Sequence, residues 1–377
     1  MLVVGSIHAG RGERAAGHIP IADSANHSVA MPVILLAGAD KGPTLLVTAG
    51  IHGGEHSGTQ AALQFAHTVD PSDLKGNIIV LPVMNPQAFS ARQFGVCPID
   101  GKNMNRIFPG CRSGTISERT AFWLLEEISP LLTHFVDLHG GDVGEALSPF
   151  AIWRPSGDTS VDRISQAMAE GFGLPAVVAL NPRGQAWTGD GTLLAALGAQ
   201  RIPGIVAEAG ELGCPSVVSV GFLYRGLQGT LGMLGMTRRQ EHGATTFDKY
   251  TGLAIVPSPC DGIQRPVVAI GEAVEKGRVI AKICDLLGAD CCTVYSPRPG
   301  TVLFQTVSLS IRRGEPLVGL GVVEVDEGMR SPARAPDAAQ LQRMCGYVED
   351  DLDAGPETGL EGAGPSSGGI LCGRCRV

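Results

Sequence analysis

Between residues 32 and 210, short apolar runs alternate with stretches whose apolar positions recur at helical spacing. Residues 32–37, 44–49, 77–83, 134–138 and 205–208 are apolar and β-branched, and Gly or Pro bounds them. Runs without polar alternation predict strands buried on both faces. Residues 58–69, 117–132 and 161–172 predict helices, with Ser117 and the stretch 158–160 supplying N-cap chemistry. The alternation predicts an α/β fold with a mixed central sheet and helices on both faces. Ligands of such sheets gather beyond the C-terminal ends of parallel strands, so the residues just past these runs matter most.

The texture changes after Gly243. Short β-like runs at 253–256, 267–270, 279–283, 292–295, 300–305 and 317–321 are broken by Pro and Gly, the pattern of a small all-β barrel or sandwich. From about Gly328 the chain is rich in Ala, Pro, Gly and Asp, which predicts a flexible tail with at most a short helix over 336–347. The expected organisation is an α/β domain over 1–243, an accessory β domain over 244–327 and a tail over 328–377. Cys372-Gly-Arg-Cys375 is a lone Cys-x-x-Cys without a partner pair and reads as part of that tail. No internal repeat of solenoid type is present.

Composition narrows the classes. With 377 residues, 44% hydrophobic and 18% charged, the chain can bury a substantial core. A net charge of −8 without a Lys/Arg cluster argues against nucleic acid as a partner, and any cationic pocket must be local. The apolar runs fall short of the roughly 20 residues a membrane helix needs, and the N-terminus lacks a signal-like lead. Neither feature suggests a membrane partner. Ten cysteines without framework spacing point to a reducing, cytoplasmic setting. A homo-oligomer is only a fold-level expectation.

The most informative segment is Thr44-Leu-Leu-Val-Thr-Ala-Gly-Ile-His-Gly-Gly-Glu-His-Ser-Gly. A strand ends at Ala49, and His52 and Glu55 follow, with Gly53 and Gly54 between them to let a tight loop aim both side chains at one point. Catalytic zinc takes three N or O protein ligands at about 2.0–2.2 Å and leaves a position open. Phe135-Val-Asp-Leu-His-Gly-Gly-Asp offers the third ligand, His139, at another strand end. Asp137 is a poorer ligand and a better partner for a ligating imidazole. His56 is a rival ligand, but its place suits a helix start. The other histidines lack comparable context.

These segments, with Leu81-Pro-Val-Met-Asn-Pro-Gln-Ala-Phe, Pro98-Ile-Asp-Gly-Lys-Asn-Met-Asn-Arg-Ile-Phe-Pro-Gly and Pro203-Gly-Ile-Val-Ala-Glu-Ala-Gly, occur in one order up to about Asp326. In that order they resemble the succinylglutamate desuccinylase/aspartoacylase family of zinc carboxypeptidase-like hydrolases. The style of the second motif is closest to the N-acetyl-diaminobutyrate deacetylase branch. The resemblance implies one Zn2+ per chain on His52, Glu55 and His139. It implies Glu208 as catalytic carboxylate and Asn105 and Arg106 as the grip on a substrate carboxylate. Relatives also carry an arginine that polarises the scissile carbonyl; the only arginine between the Asn85-Pro86 motif and Pro98 here is Arg92, further upstream than expected. Glu211 is a rival to Glu208, in a more open loop. The β segment is similar to biotinyl/lipoyl carriers, but the stretch Asp290-Cys-Cys-Thr, taken as its hairpin, lacks the modifiable lysine.

The resulting expectation is hydrolysis of an N-acyl amino acid, with acetyl as the acyl group. The alternatives are a zinc carboxypeptidase acting on a short peptide, favoured by an open cleft, and a non-catalytic zinc- or ligand-binding relative, favoured by loss of Glu208 or of a ligand.

Overall fold

The buried apolar runs do assemble into a central sheet, and it is wider than the sequence pattern shows. The computed structural model describes residues 1–24, 27–93, 95–180, 189–237 and 246–323. The expected tail, its short helix and the Cys372/Cys375 pair lie outside the described residues. The chain opens with a small antiparallel hairpin of β1 (Leu2–Val4) and β2 (Ile7–Ala9). Then come β3 (Glu13–Ser24), β4 (His27–Ala37), β5 (Asp40–Ala49), helix α1 (His56–Thr68), β6 (Lys75–Leu81), and the short helices α2 (Pro86–Ala91) and α3 (Ile116–Trp123). β7 (His134–His139), β8 (Glu145–Leu147), β9 (Phe150–Trp153), α4 (Thr159–Gly171) and β10 (Ala176–Ala179) follow. The α/β part closes with α5 (Leu193–Ala199), β11 (Gly204–Glu208), α6 (Val217–Met233) and β12 (Asp248–Tyr250).

Nine of these strands form one mixed sheet in the order β12-β10-β9-β11-β7-β5-β6-β4-β3. β11, β7, β5 and β6 run parallel at its centre, so the ends of β5, β7 and β11 lie side by side on one edge. β9 runs antiparallel to β11, and β4 and β3 complete the other flank antiparallel. Successive side chains leave a strand on opposite faces. Leu45 and Val47 of β5 therefore pack with Phe65 of α1 and Leu227 of α6, and Leu46 packs with Ala121 of α3 and Leu197 of α5. Helices cover both faces. The expected single helix over 117–132 is α3 followed by one wide π-type turn (Leu124–Ile128) and a 3₁₀ turn (Ser129–Leu131).

The β-rich segment contains β13 (Gly252–Pro257), β14 (Gly262–Pro266), β15 (Ala273–Val274), β16 (Val279–Cys284), β17 (Asp290–Tyr295), β18 (Gly300–Thr306), β19 (Ser310–Ile311) and β20 (Pro316–Val322). They form two antiparallel sheets, β13-β20-β18-β15 and β17-β16-β14-β19, around shared buried residues such as Val256, Ile280, Val302 and Val318. The first sheet also takes in β8 from the α/β part, with Leu147 opposite Phe304. The strand expected at 267–270 falls instead at Gly262–Pro266. Pro266 has no N–H to continue the ladder, and Val268 packs into the core from a bend. Asp290-Cys-Cys-Thr lies inside β17, not at a hairpin tip. The β16–β17 turn is residues 285–289, and it too lacks a lysine.

Candidate active site

Three strand ends deliver the site. The chain leaves β5 at Ala49, and the loop carrying His52 and Glu55 leads into α1. Glu55 is the N-cap residue of α1, yet its side chain caps nothing there. Its carboxylate instead lies between two imidazoles: Oε1 is 2.6 Å from His52 Nδ1, and Oε2 is 2.8 Å from His139 Nδ1. The glycines permit this. A Cβ on Gly54 would stand 1.8 Å from Asp142 Oδ1, so no larger residue fits the turn as built.

The far nitrogen of each imidazole is held by an acceptor. His139 Nε2 lies 3.0 Å from Asp137 Oδ2, and the other Asp137 oxygen accepts a 2.7 Å hydrogen bond from Thr48 Oγ1. His52 Nε2 lies 3.2 Å from Asn103 Oδ1, which also accepts the Asn105 N–H at 2.9 Å. That second bond fixes which end of the Asn103 amide faces the histidine. With each Nε2–H donating outward, both Nδ1 lone pairs face Glu55, the tautomers a metal requires. The loop bearing Asn103 is anchored on α3 by Asp100, which accepts from Ser117 N–H and Oγ at 2.9 and 3.0 Å.

Electrostatics show what the trio is built to hold. Burial alone would push Glu55 up, but His52 and His139 outweigh it and hold the carboxyl at about 2. Burial likewise pulls both imidazoles down. Glu55 nevertheless raises His52, and Asp137 with Glu55 raises His139 well above its ordinary value. The space between the three side chains thus favours positive charge. Their ligand atoms lie within 4.8 Å of one another. Two imidazoles and a carboxylate so grouped fit a divalent metal ion, and this donor set is one that catalytic zinc uses.

Around the trio lies a cavity of about 120 Å³ that Asn105, Arg106, Glu145 and Glu208 also line. Glu208 ends β11 in register with His139. Burial pushes it up to about 8, His139 pulls it down, and Glu55 adds to the rise. Burial, then Glu55, pushes Glu145 up to about 7. Burial lowers Arg106, while Glu55 and Glu208 work to keep it charged. Its Nη1 donates to the Asn105 carbonyl at 2.6 Å. Asn105 Oδ1 accepts from the Leu193 N–H at the start of α5, so the amide's remaining capacity is as a donor.

The structure therefore brings His52, Glu55, His139, Asn105, Arg106 and Glu208 to one cavity. It does not bring Arg92 there. Arg92 closes α2 with a left-handed backbone (φ 52), its side chain is exposed, and the cavity lining does not include it. Glu211 is exposed as well, whereas His56 opens α1 with Nδ1 2.8 Å from the Gly213 carbonyl. Sequence reasoning missed Thr48 and the bond Asn103 makes to His52, because neither has a spacing signature. It also missed Glu145, whose one hint is its place just after the His139-Gly-Gly segment.

The chain thus sets a His–Glu–His cluster that could hold a metal ion at the central strand ends of a mixed α/β sheet. Residues 41–219 match the model of the succinylglutamate desuccinylase/aspartoacylase catalytic domain. N-alpha-acetyl-L-2,4-diaminobutyric acid deacetylase of Halomonas elongata is 26% identical over 307 residues, 80% of this chain and 88% of the relative. The product-bound ectoine utilization protein EutE (DoeB) of Ruegeria pomeroyi superposes with a TM-score of 0.73 at 26% identity, over 82% of this chain and 95% of that one. A succinylglutamate desuccinylase/aspartoacylase from Rhodobacter sphaeroides gives 0.73 at 25% identity, over 88% and 98%.

Proposed function

We propose that this chain is a zinc-dependent amidohydrolase that removes an acyl group, acetyl in our reading, from the nitrogen of an amino acid-like substrate. The observation that carries the proposal is the Glu55 carboxylate held between His52 and His139, with Glu208 beside them at the end of β11. One zinc ion per chain on this trio would supply Lewis-acid polarisation of the scissile carbonyl and an acidified water. Arg106 offers a planar fork to the substrate carboxylate, and Asn105 adds an amide donor. Glu208 takes a proton from the attacking water at a carboxylate oxygen and passes it to the departing nitrogen. Its raised pKa suits a group that must hold and then surrender a proton near neutral pH.

A small substrate is favoured over a peptide. The cavity is well below the roughly 300 Å³ at the lower end of drug-sized sites, and Leu253, Ile255 and Phe304 of the β segment wall it. Each residue that the chemistry needs is present, which disfavours a non-catalytic relative. We assign the residues up to β12 to the hydrolase domain, beyond the expected boundary at 243 because β12 (Asp248–Tyr250) is a strand of the main sheet, and the segment from β13 to β20 to an accessory domain that shapes the pocket. The seven described cysteines are free thiols, and no helix of the described residues is long and apolar enough to cross a membrane. Both observations accord with a cytoplasmic setting. The test is acetate release from a panel of N-acetyl amino acids by the zinc-loaded chain and by His139→Ala. Hydrolysis that needs His139 is expected; equal hydrolysis by both proteins overturns the assignment.

A further inference from the structure

We infer that the substrate's side chain is uncharged and apolar, so that the chain prefers N-acyl derivatives of aliphatic or aromatic amino acids to those of acidic or diamino acids. The inference rests on the hydrolase reading above and adds the substrate class. Its basis is the cavity wall beyond the metal-binding trio. Leu147 from β8, Ile152 from β9, Val206 from β11, Leu253 and Ile255 from β13, and Phe304 from β18 all line it. Leu147, Ile152, Val206, Ile255 and Phe304 are buried yet keep 7–9% of their surface accessible, as side chains bordering an internal cavity do. Hydrocarbon from both the hydrolase sheet and the β segment's sheet thus lines the cavity.

The charges that line the cavity disfavour the alternatives. Arg106 is the only Arg or Lys among the described residues lining the cavity, and one carboxylate on the substrate engages it. A second carboxylate, as in an N-acyl aspartate or glutamate, would lie among Glu55, Glu145 and Glu208 with no further cation among the described lining residues. Burying a charge without a partner costs far more than the contacts return. A side-chain ammonium, as in an N-acyl diamino acid, would find Glu145 as the lining carboxylate outside the metal-binding trio and the proposed base. That carboxylate already accepts the Asp142 N–H at 3.2 Å, and the next side chain along β8 to line the cavity is Leu147. One half-engaged carboxylate on a hydrocarbon wall is poor compensation for stripping water from an ammonium. An aliphatic or aromatic side chain loses only unfavourable hydration there.

The test is kcat/KM by acetate release, using the full zinc-loaded chain with the N-acetyl derivatives of leucine, phenylalanine, alanine, aspartate and 2,4-diaminobutyrate. The leucine or phenylalanine compound is expected to exceed the alanine compound by roughly tenfold or more, the scale set by missing methylenes in an apolar pocket. The two charged compounds should fall below alanine. Preference for either charged compound, or no gain from alanine to leucine, overturns the inference while leaving the hydrolase reading intact. Hydrolysis of none of the five overturns both. Leu253→Ala and Phe304→Ala should each shrink the leucine-to-alanine ratio, mainly through KM for the leucine compound. Two variants guard against misfolding of one. An unchanged ratio in a folded variant of both removes the wall from the specificity.

Discussion

Replacing Asp137 by Asn isolates the contribution of the residue behind a proposed metal ligand. Asp137 is fully buried, accepts from Thr48 Oγ1 at 2.7 Å and lies 3.0 Å from His139 Nε2. Asn keeps the size and one acceptor oxygen but removes the charge. A hydrogen bond to a charged acceptor contributes about 1.5–3 kcal/mol against about 1 for a neutral pair, so the imidazole loses on the order of 1 kcal/mol of orientation and basicity. Changes to such supporting partners lower metal affinity roughly 10- to 100-fold, or about 1.4–2.8 kcal/mol. Competition against a chromophoric chelator gives the zinc Kd directly, and circular dichroism verifies that the variant is folded. The account expects Asp137→Asn to bind zinc at least about tenfold more weakly. A folded variant whose Kd stays within about twofold of the parent's would refute the reasoning that Asp137 prepares His139 for metal.

Further consequences can be checked with the same preparations. Glu208→Gln should lower kcat by roughly 10²- to 10⁴-fold while zinc content, read by elemental analysis, stays at the parental level. Arg106→Lys should raise KM more than it lowers kcat, because an ammonium cannot reproduce the bidentate fork; steady-state kinetics separates the two. Glu145 titrates at about 7 in the folded chain against an ordinary 4.5, so the folded state binds more protons than the unfolded one between those values, and stability falls as pH rises through that window. Metal-free Glu145→Gln should therefore melt above the parent at about pH 8, with the gap closing by about pH 4, and a gap that does not change with pH contradicts this. Gly54→Ala, whose Cβ would meet Asp142 Oδ1 at 1.8 Å, should weaken zinc binding in the same chelator competition.

How much of this was legible in the sequence depended on whether a feature leaves a local pattern. The strands that end at His139 and Glu208, and the one before His52, are continuous apolar runs because helices bury both their faces, and such runs are visible without a structure. The long strand β3 escaped notice: it lies at the edge of the sheet, and its sequence, with Gly17 and Pro20, lacks a clean run. Helix α6 escaped for the opposite reason. It is apolar on most sides, so no stripe appears, and Gly226 lets it pack so close to Phe172 that a Cβ would sit 2.1 Å from the ring. In the site, His52 and Glu55 were legible because their glycines and strand end are adjacent in sequence. The Thr48–Asp137 and His52–Asn103 contacts join residues 89 and 51 positions apart, and only the register of the sheet and the path of the loop bring them together. Arg92 is close to the motif in sequence, yet it is not among the cavity-lining residues. The left-handed turn at the end of α2 leaves it exposed.

The central claim is that a single zinc ion on His52, Glu55 and His139 makes this chain a deacylase. Its most direct test is a reconstitution titration: chelator-stripped protein receives increasing zinc, and release of acetate from an N-acetyl amino acid is followed. The account predicts no activity in the stripped protein and a linear rise that stops at one equivalent of zinc per chain. Activity without metal, or zinc that binds at one equivalent and restores no hydrolysis of any N-acetyl amino acid, would contradict it.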